Sequence, residues 1–273
     1  MIAIQGFNGS FHQLAAHRYF GPHVPTVPCA TFGEVVRQVA AGGASAAVMA
    51  IENSIAGSIL PNYTLLRKSG LRVVGEVYLR IRQHLLALPG QQVADIREVH
   101  SHPMALLQCA DFLEQHPHWR LVETEDTALS AQRIGQQRLA GVAAVAGERA
   151  AALFGLDMLA PDIQTEQHNY TRFLVVARPE NSQEVAQPNK ASLYFHTAHA
   201  QGSLARVLAC IAEQGINLSK LQSCPMPGST WHYYFHADLE FDQPEQLSAA
   251  LHALAPVTEG LEVLGVYQKG MTH

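Results

Sequence analysis

Residues 168–189 read HNYTRFLVVARPENSQEVAQPN, and two textures meet inside them. Thr171 to Val176 is a hydrophobic run that ends in a strand candidate, LVVA. From Arg178 to Asn189 two prolines and a polar majority interrupt it, the composition of an exposed linker and not of a packed element. The linker, 179–189, therefore divides an N-terminal unit, 1–178, from a C-terminal one, 190–273.

Upstream, short apolar strand candidates alternate with helical ones: IAIQ, then Ser10 to Phe20; VPTVP, then Phe32 to Ala41; SAAVMA, then Ser58 to Lys68. That alternation predicts an α/β unit. Thr31 and Glu34 have the spacing of a capping box. Leu71 to Leu88 alternates much of its bulk, and Asp95 to Val99 precedes a predicted helix over Pro103 to Gln115, with Pro103 in a first turn that needs no donor from it. A strand at Trp119 to Val122, a helix from Asp126 to Gln137 and a strand from Gly141 to Ala146 extend the plan. Downstream the predicted order is β-α-β-β-α-β. Leu204, Val207, Leu208 and Ile211 recur at helical spacing, and Tyr233, Phe235, Ala237 and Leu239 keep a period of two. Two helices cover one face of such a sheet, which leaves the other face for a partner and predicts a homo-oligomer.

The chain of 273 residues is 48% hydrophobic and 15% charged, enough for about two domains with real cores. Its 18 Lys and Arg against 23 Asp and Glu give a net charge of −5, without the pervasive positive field of a general nucleic-acid binder. Sparse charge and a mean hydropathy of +0.01 exclude the signature of disorder. Cys29, Cys109, Cys210 and Cys224 form no CxxC pair and read as free thiols. Among 15 histidines no zinc-like spacing occurs, so no metal is expected. The start, Met1 to Ile4 and then Gln5, has neither a basic leader nor a membrane-length apolar run. A soluble cytoplasmic protein without a membrane partner is expected.

Three polar clusters sit where strand candidates meet helix entrances. Gly6, Gly9 and Ser10 can direct backbone donors and a hydroxyl toward an anion, but GFNGS is not a dinucleotide fingerprint and no acidic residue completes one. Glu52, Asn53 and Ser54, followed by Gly57, form a second cluster, and strand ends of a parallel sheet converge on one crevice. Ser101, His102 and Pro103, with Gln108 beyond, form a third, in which His102 reads first as a helix anchor. His168 to Phe173 adds a hydroxyl and a guanidinium at a strand start. Arg67, Lys68, Arg72, Arg80 and Arg82 outnumber Glu76 nearby, a local positive field suited to a carboxylate substrate. The planar fork of Arg172 can hold a carboxylate through paired bonds.

IQGFNGSFHQLAA, ENSIAGS, SHPMALLQC and above all HNYTRFLVV resemble the prephenate dehydratase family, and GSLARVL and INLSKLQSCP resemble its C-terminal ACT regulatory domain. The resemblance implies a two-lobed, periplasmic-binding-protein-like α/β catalytic unit over 1–178, its second lobe inserted at about 76–158, followed by an α+β ferredoxin-like ACT domain over 190–273. It implies cofactor-free conversion of prephenate to phenylpyruvate, water and carbon dioxide in phenylalanine synthesis. Thr171 would assist departure of the ring hydroxyl; Ser10, Asn53 and Ser54 would orient the substrate and its carboxylates; Arg172 would anchor charge; Phe173 would shape the ring pocket or brace the strand. L-phenylalanine would bind as effector at Gly202, Ser203, Leu204, Asn217 and Leu218 of a homodimer or homotetramer.

The chain departs from the family pattern at Phe7, Ser10, His12 and Met104, and in the phrase Gln222-Ser223-Cys224-Pro225, which lacks both charged members. His12 either contacts substrate or faces solvent, the latter favoured. Competing readings are a noncatalytic amino-acid-binding regulator and an arogenate dehydratase.

Overall fold

The computed structural model describes residues 1–182, 185–226 and 228–271. Gln183 and Glu184 of the expected linker, and Pro227, Thr272 and His273 of the expected C-terminal unit, lie outside the described residues.

The first lobe runs β1 (Ile2–Gln5), α1 (Phe11–Phe20), β2 (Thr26–Cys29), α2 (Phe32–Ala40), β3 (Ala46–Asn53), β4 (Gly57–Ser58), α3 (Leu60–Ser69) and β5 (Arg72–Arg80). A second lobe follows: β6 (His84–Ala87), β7 (Glu98–Ser101), α4 (Pro103–Gln108), α5 (Ala110–Glu114), β8 (Arg120–Glu123), α6 (Thr127–Gln137), β9 (Val142–Ala146), α7 (Glu148–Phe154) and β10 (Asp157–Ala160). Then β11 (Tyr170–Ala177) returns to the first sheet, whose order is β2-β1-β3-β11-β5 with β4 paired to β3. The second sheet has the order β10-β6-β9-β7-β8. The C-terminal unit comprises β12 (Lys190–His196), α8 (Ser203–Glu213), β13 (Asn217–Pro225), β14 (Tyr233–Glu240), α9 (Pro244–Leu254) and β15 (Glu259–Tyr267), with the antiparallel order β13-β14-β12-β15.

Local chemistry accounts for most boundaries. Ser10 caps α1 by accepting from the Gln13 N–H. The Thr31 hydroxyl caps α2 as expected, although the Glu34 carboxylate takes the N–H of Ala30, one residue before the position that a capping box requires. The helix expected over Pro103 to Gln115 is broken at Cys109 into α4 and α5. The alternating stretch from Leu71 to Leu88 is divided between β5 and β6, which belong to different sheets.

One side of the first sheet, with Ile4, Val48, Ala50, Phe173 and Val175, packs beneath α1. The other side forms a core with α2, α3 and, from the C-terminal unit, Cys224, Tyr234, Leu264 and Tyr267. The free face expected on the C-terminal sheet is therefore covered by the chain's own first lobe. The physical reason lies in its residues: α8 and α9 cover Leu193, Phe195, Ala237 and Leu239, while the opposite face carries Tyr194, Tyr234, His236 and Asp238, all of which find partners on the first lobe or beside it. Gly265 of β15 lies so close to β5 that a Cβ there would collide with the Val73 carbonyl.

Candidate active site

A cleft of about 480 Å³ opens between the first two sheets. The first lobe supplies Ser10, His12, Asn53, Ser58, Thr171 and Phe173; the second supplies His102, Gln108, Glu125 and Asp126, and Ile81 and Gln83 line the crossing between them. Ser10 and Asp126 are the N-caps of α1 and α6, so two helices of three turns begin at its wall, the first capped by a neutral hydroxyl and the second by a carboxyl. The lobes come close at Gly6, which has φ +90°: a Cβ there would stand 2.7 Å from Asp126 Oδ2. Glycine at this position lets the carboxyl approach the first lobe.

Thr171 and Asn53 are register partners across β11 and β3. The Asn53 amide Nδ2 lies 2.7 Å from Asn169 Oδ1, 3.0 Å from Thr171 Oγ1 and 3.1 Å from the Tyr170 carbonyl, so its two protons are shared among three acceptors. Asn53 Oδ1 accepts from the N–H groups of Ile55 and Ala56. Its side chain is thus locked at both ends. Because Thr171 Oγ1 accepts from Asn53, the hydroxyl's own proton is left to donate into the cleft. Asn169, fully buried, donates in turn to Gln108 Oε1 at 3.0 Å and links the pair to the second lobe.

A bulge aims this pair. Arg172 pairs with Glu52 and Phe173 with Ala50, so Ile51 is an extra residue on β3. Ala50 faces the cleft beside Phe173, and the extra residue reverses the alternation so that Asn53 faces it beside Thr171. Phe173 meets His12 edge to face at 5.0 Å. Desolvation pulls the His12 imidazole down to about 4, which keeps it neutral near pH 7. His12 lines the cleft and does not face solvent, contrary to the favoured expectation. The Asp126 carboxyl is pushed up by burial against the pull of the backbone N–H groups of Leu129 and Ala128.

Two expected site residues are elsewhere. Arg172 does not face the cleft: strand alternation sends its side chain to the opposite side of β11 from Thr171 and Phe173, into a dry contact with Glu76 at 2.7 Å and Asp238 at 2.5 Å. Ser54 is exposed and straps the chain outside the cleft, donating to the His168 carbonyl and accepting from the Tyr170 N–H. The positive field expected from the basic stretch is also spent away from the cleft. Arg67 stacks on Tyr234 and Tyr194, Arg72 donates to the Val263 carbonyl, Arg80 to the Gln167 carbonyl, and Arg82 pairs with Asp162. Among the described residues lining the cleft there is no lysine or arginine. The donors available to an anion there are hydroxyls, amides and the N-terminus of α1.

Asn169, Gln83 and Asp126 were not singled out from the sequence. Asn169 lay inside the HNYTRF segment, and Asp126 precedes a helix in the manner of an N-cap, but nothing local marks either as a cleft residue. His102 anchors α4 as expected, accepting from the Met104 N–H at Nδ1, and also lines the cleft. In the C-terminal unit a smaller cavity of about 180 Å³ is lined by His199, Ser203, Leu204, His232 and Tyr233 among others. It includes two of the expected effector residues; Gly202 adjoins it as the N-cap of α8 with φ +77°, whereas Asn217 and Leu218 lie on β13, outside its lining.

Residues 2–181 match the prephenate dehydratase (PDT) family. The chain belongs to that family. It is 34% identical over 270 residues to the bifunctional chorismate mutase/prephenate dehydratase of Enterobacter agglomerans, covering 97% of this chain and 70% of that protein. The prephenate dehydratase of Arthrobacter aurescens, solved in complex with L-Phe, superposes with a TM-score of 0.86 at 28% identity, covering 98% of this chain and 89% of the other. GqqA, described as a novel type of quorum quenching acylase, superposes with a TM-score of 0.88 at 33% identity, covering 98% and 97%. Family membership establishes an enzyme of the lyase class within a two-domain α/β architecture. The described residues contain no group of three or more His, Cys, Asp or Glu able to hold a metal, and no helix among them is long and apolar enough to cross a membrane.

Proposed function

We propose that this chain converts prephenate to phenylpyruvate, water and carbon dioxide, and that the cleft between the first two sheets is where it does so. The observation that carries the reading is the Thr171 hydroxyl, held as a donor by the locked Asn53 amide at the foot of that cleft. In the reaction the bond from the ring to its carboxylate breaks, and its electron pair enters the ring. The ring hydroxyl leaves from the opposite carbon and takes up a proton, so that carbon dioxide and water depart and an aromatic ring remains. Aromatisation supplies the driving force. The protein has to orient the dianion and stabilise the charge that grows on the departing oxygen, which is the task of a preorganised donor.

The absence of cationic side chains from the described lining has a chemical use in this reading. A guanidinium gripping the scissile carboxylate would stabilise the charged ground state more than the transition state, in which that charge is passing into the ring and toward the departing oxygen as neutral carbon dioxide forms. The N-terminus of α1 and the neutral Ser10, Gln83 and Gln108 bind an anion more weakly. Ser10, Asn53 and Phe173 orient the ring and its carboxylates; Ser54 acts by strapping Tyr170. Arogenate, with an amine in place of the side-chain ketone, is the competing substrate. An acylase, as GqqA is described, calls for a nucleophile coupled to a base, whereas Thr171 Oγ1 meets the Asn53 amide. We also propose phenylalanine as an effector in the C-terminal unit, near Ser203 and Leu204, and a homodimer or homotetramer as the working state.

Purified chain given prephenate should form phenylpyruvate, and Thr171→Ala should lower kcat by about 10²- to 10³-fold with an unchanged melting temperature. Formation of phenylpyruvate at the parental rate by a folded Thr171→Ala chain would refute the assigned role. No product from prephenate, with turnover of arogenate instead, would move the reading to the competing substrate; no product from either would sink it.

A further inference from the structure

The residues next to Thr171 and Asn53 on the opposite side of the first sheet are charged. Arg172 and Glu52 are register partners across β11 and β3, and Lys220 and Asp238 are register partners across β13 and β14. The two pairs face one another with opposite signs. Arg172 Nη1 donates to Asp238 Oδ2 at 2.5 Å, and Lys220 Nζ donates to Glu52 Oε1 and, at 2.8 Å, to Ser58 Oγ. Each bond ties a backbone position beside a cleft residue to the C-terminal unit, and Ser58 itself lines the cleft.

These two bonds differ in what they can do. Arg172 lies on β11, whose ladder to β5 runs without a shift from Tyr170 to Val175, and its side chain is surrounded by buried partners. Glu52 sits at the edge of the bulge, paired with Arg172 of β11 on one side and Ser58 of β4 on the other. Asn53 is the next residue. Lys220 adds a side-chain restraint from the C-terminal unit, since it holds Glu52 and Ser58, register partners on either side of the turn that follows Asn53.

We propose that Lys220 of the C-terminal unit is a positioning residue for the cleft chemistry: through Glu52 and Ser58 it holds Asn53, and through the Asn53 amide the Thr171 hydroxyl, in the geometry that turns substrate over. The role rests on the reading of the cleft as the site of prephenate turnover. It makes the C-terminal unit part of the working site and not only an appended sensor. A lysine–glutamate pair at the edge of a contact is worth little to stability, whereas a displacement of about 1 Å at a reacting group can cost up to ~10²-fold in rate.

The test uses the full chain as Lys220→Met, Lys220→Arg and Glu52→Gln, with steady-state kinetics on prephenate, melting temperature, and amide exchange over residues 53–58. Lys220→Met and Glu52→Gln should each lower kcat about tenfold with KM within about twofold of the parent, while the melting temperature holds and amide exchange over 53–58 quickens. Lys220→Arg should restore most of the lost kcat. Parental kcat in Lys220→Met, or a loss that only follows a falling melting temperature, overturns the proposal. If the parent itself fails to turn over prephenate, the functional reading fails separately, and amide exchange decides the positioning role: faster exchange confined to 53–58 in Lys220→Met upholds it, and unchanged exchange overturns it.

Discussion

The same two strands, β3 and β11, border two seams of opposite character. Toward the second lobe they face an open polar cleft, crossed by the bond from Asn169 to Gln108. Toward the C-terminal unit they face a sealed contact in which Arg172, Glu76, Lys190 and Asp238 are all at most 5% exposed and paired with one another. Ser192, His236 and Tyr267 complete that network: Ser192 Oγ donates to Asp238 Oδ1 at 2.6 Å, His236 Nε2 lies 3.0 Å from the same oxygen, and Arg172 reaches the Tyr267 hydroxyl. Burial by itself pushes the Asp238 carboxyl up, but Arg172 and His236 hold it well below the usual carboxylate range. An open seam can close on a ligand. A sealed one joins the C-terminal unit to the first lobe through buried charge pairs.

Three experiments break or sharpen this contrast. The largest effect is expected from Asp238→Ala, which leaves the buried Arg172 and Lys190 to share the Glu76 carboxylate; the unfolding free energy should fall by ~3–5 kcal/mol in urea titration, because removing one partner of a buried pair leaves an uncompensated charge. A loss under about 1 kcal/mol would mean that the seam is wet, since exposed pairs are worth no more than that. On the open side, Gln108→Leu deprives the buried Asn169 amide of its acceptor, which should cost ~1–3 kcal/mol shared between stability and the placement of Asn53. There kcat should suffer more than the urea midpoint, and the reverse ordering would make Asn169–Gln108 a structural bond and not a cleft element.

A third effect is a pH dependence. The fold lowers the His12 pKa from 6.5 to about 4, so between those values the unfolded chain binds a proton that the folded chain does not. The contribution of His12 is therefore whole above pH 6.5, declines as pH falls toward about 4, and is constant below that. Urea midpoints measured across this window should fall less steeply for His12→Gln than for the parent, and parallel curves would show that the imidazole is hydrated.

Much of the fold was legible because its signals are local. Caps at Ser10 and Thr31, the proline at the start of α4 and the period-two strand Tyr233 to Leu239 each act within a few residues. The site was legible in part: Thr171, Asn53, Ser10 and Phe173 meet at the cleft. Arg172 was misplaced although its neighbours held the answer, since a strand cannot send Thr171, Arg172 and Phe173 to one side. The run TRFLVV hid this because β11 is buried on both faces, and an apolar pattern on both faces does not say which one is the cleft.

The sequence by itself therefore determined where most strands and helices begin and the polar, proline-bearing character of residues 178–189, and it put Asn53 and Thr171 among the candidates, because capping, period and composition are properties of neighbouring residues. Tertiary structure alone decided the bulge at Ile51, the use of Arg172 and Lys220 as ties to the C-terminal unit, and the absence of cations among the described residues lining the cleft. Those depend on which of several possible partners each charge meets, and partners such as Glu52 and Lys220 lie 168 residues apart in the chain.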